Sequence, residues 1–277
     1  MILGHSIAYR TLYPDEHFSE EPQVIHCHNR FHYGDHIFNL KFFKAHASLL
    51  KSKHITIRYY YDTSYITSPK ELLHYVDPEV VSLHSLYDAP SYSHELWMGH
   101  CFDICHYQFD SYFHRHYNKL KNMFSLHEPS VCTDFFMNEP YLEDNYQSLP
   151  YEYKDVDVLV INCKPFSGQT NVTIEQFTPL VYELTKTLKV VTTEKINGVL
   201  CTRDKGLSLQ DIGAISTRAK YIVSVNSGPT VPCYNHLAKA SVRHWLLFDN
   251  DKTFETPTIT CLNYFPSVEQ CKSILKL

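Results

Sequence analysis

Asp157-Val158-Leu159-Val160-Ile161-Asn162 is a near-continuous apolar run. That is the pattern of a strand buried on both faces of a parallel sheet, not of a half-solvated one. The loop Cys163-Lys164-Pro165-Phe166-Ser167-Gly168-Gln169 follows it. Thr173 then predicts a helix N-cap, with Ile174, Phe177, Leu180, Val181, Leu184 and Leu188 on one face of the helix it opens. Toward the C terminus the pattern continues: strands over 189–193 and 199–202, then a helix over 208–218 capped by Ser208. The strand Tyr221-Ile222-Val223-Ser224-Val225 runs into Asn226-Ser227-Gly228-Pro229-Thr230. A helix to Ala240, a strand Trp245-Leu246-Leu247-Phe248 and a last helix over 267–277 complete about five β/α units, enough for a Rossmann-like domain.

Toward the N terminus the periodicity fails between 138 and 155, where Pro140, Pro150, acidic residues and tyrosines crowd together; this predicts an interdomain linker. Before it, Val24-Ile25-His26-Cys27-His28 reads as a strand that stops at Asn29-Arg30-Phe31-His32-Tyr33-Gly34-Asp35 and gives way to a helix with Ile37, Leu40, Ala47 and Leu50 at helical spacing. A strand over 54–60, a short helix opened by Pro69 and a strand Val80-Val81-Ser82-Leu83 follow. Residues 93–123 are mostly helical in pattern and dense in His, Tyr and Phe. The expected class is α/β: two Rossmann-like domains, residues 1–145 and 146–277, facing a central cleft.

The 277 residues carry 25 Lys+Arg against 30 Asp+Glu, a net charge of −5 with neutral histidines. That balance argues against nucleic acid as a partner, since neutralising a phosphate backbone needs clustered cations. No apolar run approaches the roughly 18–20 residues that span a bilayer, and residues 1–23 lack a basic segment followed by an apolar one; no transmembrane segment and a cytoplasmic location are expected. Nine cysteines without a C-x-x-C pair predict reduced thiols. On that basis Asn171-Val172-Thr173 is not a glycosylation site.

In an open α/β sheet the ligand lies beyond the carboxyl ends of the strands, where strand order switches direction and helix N-termini offer unpaired amides to phosphate. Two loops of the second half meet that description. One brings the Lys164 ammonium, the Ser167 hydroxyl and a glycine to the mouth of the next helix. The other brings Ser227, Gly228 and Thr230 to a helix entrance. Either alone reads first as a tight strand-to-helix turn, and their pairing at the two switch-point positions predicts a diphosphate cradle. No G-x-G-x-x-G or G-x-x-x-x-G-K-[ST] is present, so a nicotinamide dehydrogenase and a P-loop nucleotidase both lack their motifs. In the first half, Gly34 permits a sharp turn and Asp35 stands at a helix entrance, either as an N-cap or as a carboxylate positioned to accept a proton. His32 and His36 are alternative bases, since imidazole titrates near neutrality.

Gly34-Asp35 before an apolar helix, with the helix from Leu209 leading into Ala219-Lys220-Tyr221-Ile222-Val223-Ser224-Val225-Asn226-Ser227-Gly228, resembles the GT-B glycosyltransferases, particularly the heptosyltransferase-like group. Members of that group carry a Gly-Asp at the start of the first long helix and an Asp-[Ser or Thr]-Gly after the fourth strand of the second domain. The resemblance covers the two-domain layout and two short motifs. It implies Asp35 as catalytic base, Asn226, Ser227 and Gly228 near a nucleotide-sugar donor, and Lys164 facing the diphosphate. The chain departs from the pattern at Asn226, where the group has aspartate, and at Pro229-Thr230-Val231, so the donor sugar does not carry over.

The implied reaction is an inverting, metal-independent transfer of a hexosyl, pentosyl or deoxyhexosyl group from a nucleoside-diphosphate sugar to a glycan hydroxyl. The donor is a co-substrate, and no separate cofactor is expected. Lys164, Arg203 and helix amides would stabilise charge on the departing diphosphate. Two other readings stand beside it. His26, Cys27, His28, His32 and His36, and later Cys101, Cys105, His106, His114 and His116, are zinc-ligand types without a zinc spacing; a metal-dependent hydrolase would use them. A degenerate enzyme would bind a nucleotide sugar or glycan without turnover. Tyr33, Trp97, Tyr107 and Phe166 are candidates to stack on a sugar or base, in a chain whose 21 Tyr and 16 Phe are mostly core or surface.

Overall fold

A computed structural model of the chain describes residues 22–66, 69–98, 112–126, 135–164, 170–249 and 255–277. The first half contributes β1 (Gln23–Asn29), α1 (Tyr33–Ala45), α2 (Ala47–Ser52), β2 (Ile55–Tyr61), α3 (Lys70–Leu73), β3 (Val81–Ser85), β4 (His94–Glu95) and α4 (Tyr112–Met123). The four strands form a parallel sheet in the order β3-β2-β1-β4.

The second half contributes α5 (Tyr141–Ser148), β5 (Val158–Ile161), α6 (Ile174–Leu184), β6 (Val190–Thr192), β7 (Leu200–Cys201), α7 (Leu209–Ser216), β8 (Tyr221–Val225), α8 (His236–Ser241), β9 (His244–Phe248), β10 (Ile259–Leu262) and α9 (Val268–Leu275). Its sheet is also parallel, in the order β10-β9-β8-β5-β6-β7.

Local sequence explains most of these elements. Thr173 and Gln176, Ser208 and Asp211, and Ser267 and Gln270 form reciprocal capping boxes at the starts of α6, α7 and α9, each satisfying amides that a helix start leaves orphaned. Every residue of β5 and of β8 is buried, as the apolar run predicts. One face of this sheet packs Val158, Val160, Val223 and Phe248 against Phe177, Leu180 and Val181 of α6 and Leu275 of α9.

The first sheet is different. Ile55, Ile57 and Tyr59 of β2 point inward while Thr56 and Arg58 between them are exposed, and neighbouring Val24 and Ser82 are exposed too. Strand alternation therefore sends His26 and His28 to one face and Cys27 to the other. Among the described residues, no group of three His, Cys, Asp or Glu side chains is placed to hold a metal ion. Cys101, Cys105 and His106 lie outside them.

The segment expected as a linker is helical. Pro140 precedes α5, and Leu142 and Tyr146, four residues apart, are buried. Proline is tolerated where the helical N–H would be unpaired anyway, so it begins this helix instead of breaking one. Glu143 of this helix pairs with Arg218, just past α7, at 2.7 Å. Met137 forms a parallel bridge with Asn235. One hydrophobic cluster runs unbroken from Ile37, Leu40 and Phe43 of α1 to Ile212, Ile215, Val231, Trp245 and Leu247. The two sheets thus share a dry core, which is larger than either half alone would bury.

Candidate active site

Strand order switches direction once in each sheet. In the second sheet the chain adds β6 and β7 on one side of β5, then returns to place β8 on the other. In the first it adds β2 and β3 beside β1, then places β4 on the opposite side. Both switch points lie at the strand carboxyl ends, where a sheet of this kind has its ligand crevice.

At the first crevice stands Asp35, in the first turn of α1 and partly buried. Its Oδ1 accepts the Met98 backbone N–H at 3.1 Å, from the segment that follows β4. The carboxyl pKa is pushed up to about 6, mainly because burial penalises the charged form, with the Met98 hydrogen bond opposing the shift. A carboxyl with pKa near 6 is half-protonated at about pH 6 and mostly ionised at neutrality, which suits a group that must accept and release a proton.

Gly34 does not make the sharp turn expected of it; it lies within α1, and the positive-φ glycines among the described residues are Gly198 and Gly206. Its function is close approach. A Cβ on Gly34 would stand 3.4 Å from the Gly228 Cα, and one on Gly228 would stand 3.5 Å from the Gly34 nitrogen. The two motifs singled out in the sequence therefore meet backbone to backbone, with just enough room for a Cβ at either position.

The histidines separate. His36 is fully buried, its Nδ1 3.0 Å from the Tyr59 hydroxyl, and burial pushes its pKa down to about 3. It is a neutral core residue and does not face the crevice as a base would. His32 is exposed at the N-cap of α1, and its carbonyl accepts the Asp35 N–H at 3.1 Å.

At the second crevice, Cys163 after β5 and Ser227 after β8 touch across the switch point, Sγ to Oγ, at 2.9 Å. Lys164 is exposed beside them. Ser167 lies outside the described residues. Asn226 is a structural residue here: its amide donates to the buried Asp249 carboxylate, and its Oδ1 accepts the Tyr234 hydroxyl at 3.2 Å. Thr230 is also turned inward, donating to the Val225 carbonyl at 2.5 Å. The helix expected after Gly228 is a 3₁₀ turn, Gly228–Cys233, with α8 beginning only at His236. Pro229 and Pro232 within it remove two amides, so an anion at this turn would meet backbone N–H groups and Ser227 more than a helix dipole. Arg203 is exposed past β7, paired with Glu194 at 2.5 Å.

Two residues central to this geometry stand outside the candidate site residues of the sequence. Asn162 ties the ends of β5 and β6 together, accepting the Glu194 N–H at 2.9 Å and donating to the Glu194 carbonyl at 3.2 Å. Lys41, on the same helix as Asp35, is fully buried; it pairs with Glu139 at 2.8 Å and donates to the carbonyls of Val231 at 2.8 Å and Tyr234 at 3.1 Å. A lysine inside the apolar stretch Ile37–Phe43 was the available clue, but nothing local names its partners.

No protein-family model matches the chain, and no curated protein matches it by sequence. Solved structures do. The glycosyl transferase family 9 structure from Veillonella parvula aligns with a TM-score of 0.50 at 12% identity, over 93% of this chain and 92% of that one. The Escherichia coli heptosyltransferase WaaC, solved with ADP-2-deoxy-2-fluoro heptose, aligns with a TM-score of 0.55 at 10% identity, over 92% of this chain and 99% of that one. At such identities the likeness speaks for the fold: two parallel-sheet halves in an arrangement consistent with the two-domain GT-B-like architecture.

Proposed function

We propose that this chain is a glycosyltransferase that moves a hexosyl, pentosyl or deoxyhexosyl group from a nucleoside-diphosphate sugar to a glycan hydroxyl, with inversion and without a metal. Residues 1–145 form the acceptor side and 146–277 the donor side of a central cleft. The carrying observation is that the Gly34–Gly228 approach sets the helix start bearing Asp35 against the loop bearing Ser227. The nucleotide-sugar analogue bound to the E. coli structure supports a nucleoside-diphosphate donor.

In this mechanism Asp35 takes the proton of the acceptor hydroxyl as its oxygen attacks the anomeric carbon. The bond from that carbon to the phosphate oxygen breaks, and its electron pair leaves with the diphosphate. General-base assistance of this kind contributes roughly 10²–10⁴-fold. The Lys164 ammonium, the Ser227 hydroxyl and the amides around Gly228 stabilise the departing charge, and Arg203 joins them by leaving Glu194. Asn226 and Thr230 hold the loop in place without touching the donor. His32 lines the acceptor side near Asp35.

Donor binding is checked by thermal shift against UDP, GDP, ADP, CMP and dTDP, with and without EDTA. A ligand specific for the folded state at 100 times its Kd adds about 2.7 kcal/mol. One nucleotide should stabilise the protein, equally in both buffers; a shift that appears only without EDTA would replace the metal-independent mechanism with a metal-assisted one. Stabilisation by none would overturn the donor class.

The pH profile follows from Asp35. The base works deprotonated, so kcat/KM should rise with pH and level off above about 6, about two units above an ordinary aspartate's limb. A limb near pH 4 would show that the essential group is not Asp35 as placed here.

A further inference from the structure

We infer that the acceptor is held by the ring of an uncharged sugar packed on the aromatic cluster Phe31, Tyr65 and Trp97, beside Asp35. This rests on the glycosyltransferase reading and extends it to the acceptor class. Phe31 follows β1 and Trp97 follows β4, so their rings, with centroids 4.7 Å apart, bridge the switch point of the first sheet. Tyr65, in the turn after β2, brings a third ring to 6.4 Å from Phe31 and is 54% exposed.

Chain connectivity ties the cluster to the base from both sides. Met98, whose N–H holds the Asp35 carboxylate, is the next residue after Trp97. Phe31 and His32 lead directly into α1, where Asp35 occupies the third position. Three rings from three strand ends, partly exposed at a ligand crevice, offer apolar area that a folded chain would otherwise bury. The C–H face of a sugar ring fits such a surface while its hydroxyls stay directed at polar groups and water. The neighbouring charges cancel: Arg30 pairs with Glu95 at 3.6 Å, and burial holds the adjacent His28 below its usual pKa and therefore neutral. A phosphorylated or carboxylated ring would find no excess cation in this group.

The chain's two tryptophans make the test direct. Trp245 is 2% exposed, with its indole N–H donated to Ser224 at 2.7 Å, whereas Trp97 is partly exposed. Acrylamide quenching therefore reports on Trp97. The protein is titrated with methyl glycosides of neutral hexoses, pentoses and deoxyhexoses, and nucleotide binding is followed separately by thermal shift. At least one glycoside should protect the fluorescence saturably. Trp97→Phe should abolish that signal, and Phe31→Ala and Tyr65→Ala should each weaken apparent affinity at least tenfold while the nucleotide shift is unchanged. Tyr65 lies in an exposed turn, so its variant tests the cluster even where Phe31→Ala does not fold. Nucleotide binding with no protection by any glycoside, or full affinity in Tyr65→Ala and Phe31→Ala, would overturn the aromatic subsite and leave the transferase reading standing. Protection without any nucleotide binding would keep the subsite and sink the transferase reading.

Discussion

Asp35→Asn is expected to lower transfer by about 10²–10⁴-fold and, at pH 7, to make the protein more stable than the wild type. Both effects have one origin. The Asp35 carboxyl is shifted from 3.8 to about 6, chiefly by burial. A shift of about two units corresponds to roughly 3 kcal/mol between protonation states. Partial exposure discounts this, and a net gain of about 1–2 kcal/mol is expected for the variant, or roughly 2–6 °C in Tm for a chain of this size. Because the folded pKa is raised, the favourable contribution of Asp35 is complete below the unfolded value near 4 and is lost as pH rises through about 6. The variant's advantage should therefore vanish below pH 4 and be full above pH 6. Asparagine keeps an acceptor for the Met98 N–H, so geometry is preserved while the base is removed. Melting curves of both proteins between pH 4 and 8, beside activity with the donor found by thermal shift, check it. A variant that is inactive but less stable at every pH would mean that Asp35 serves the fold, as an N-cap does. Unaltered activity would move the base elsewhere.

The contrast between what was legible in the chain and what was not follows from the range of the interactions. Strands such as Val158–Ile161 and Tyr221–Val225, and caps such as Ser208 and Thr173, are written in adjacent residues, so periodicity and side-chain chemistry expose them. Gly34-Asp35 and Ser227-Gly228 were also recognisable, as short polar punctuation between apolar runs. Their meeting was not, because two glycines far apart in sequence carry no mark of facing one another. The two-residue β4 and the four-residue β10 are too short to show a periodic run, and α5 is hidden because its flanking prolines and its charges resemble a linker. Orientation was hardest. His36, Asn226 and Thr230 have the chemistry of site residues, yet each is turned inward to a partner, Tyr59, Asp249 and Val225 respectively. The residue type states what a side chain can do, while packing decides which way it points.

Lys41 is the extreme case, and Lys41→Met is expected to be strongly destabilising. Breaking a buried pair from one side costs about 3–5 kcal/mol, since the remaining charge is left without compensation. Native domains have only about 5–15 kcal/mol in total. Here the loss is compounded, because Lys41 also serves the Val231 and Tyr234 carbonyls at the end of the 3₁₀ turn that begins at Gly228. An ordinary ion pair and a carbonyl clamp make different predictions. If only the pair mattered, Glu139→Gln would cost about as much as Lys41→Met, and Lys41→Met with Glu139→Leu would recover most of the loss, as buried pairs replaced by apolar residues often do. In a clamp, Glu139→Gln is the milder change, since Lys41 keeps its carbonyls. The double variant then stays well below wild type, because orphaned buried carbonyls cost about 1–3 kcal/mol each. Urea unfolding followed by tryptophan fluorescence orders the three variants, and equal single costs with a restored double would rule the clamp out. The same tether fixes the Ser227-Gly228 loop to the helix bearing Asp35. Any Lys41 variant that still folds should therefore lose transfer activity while keeping the pKa near 6 that belongs to Asp35 itself.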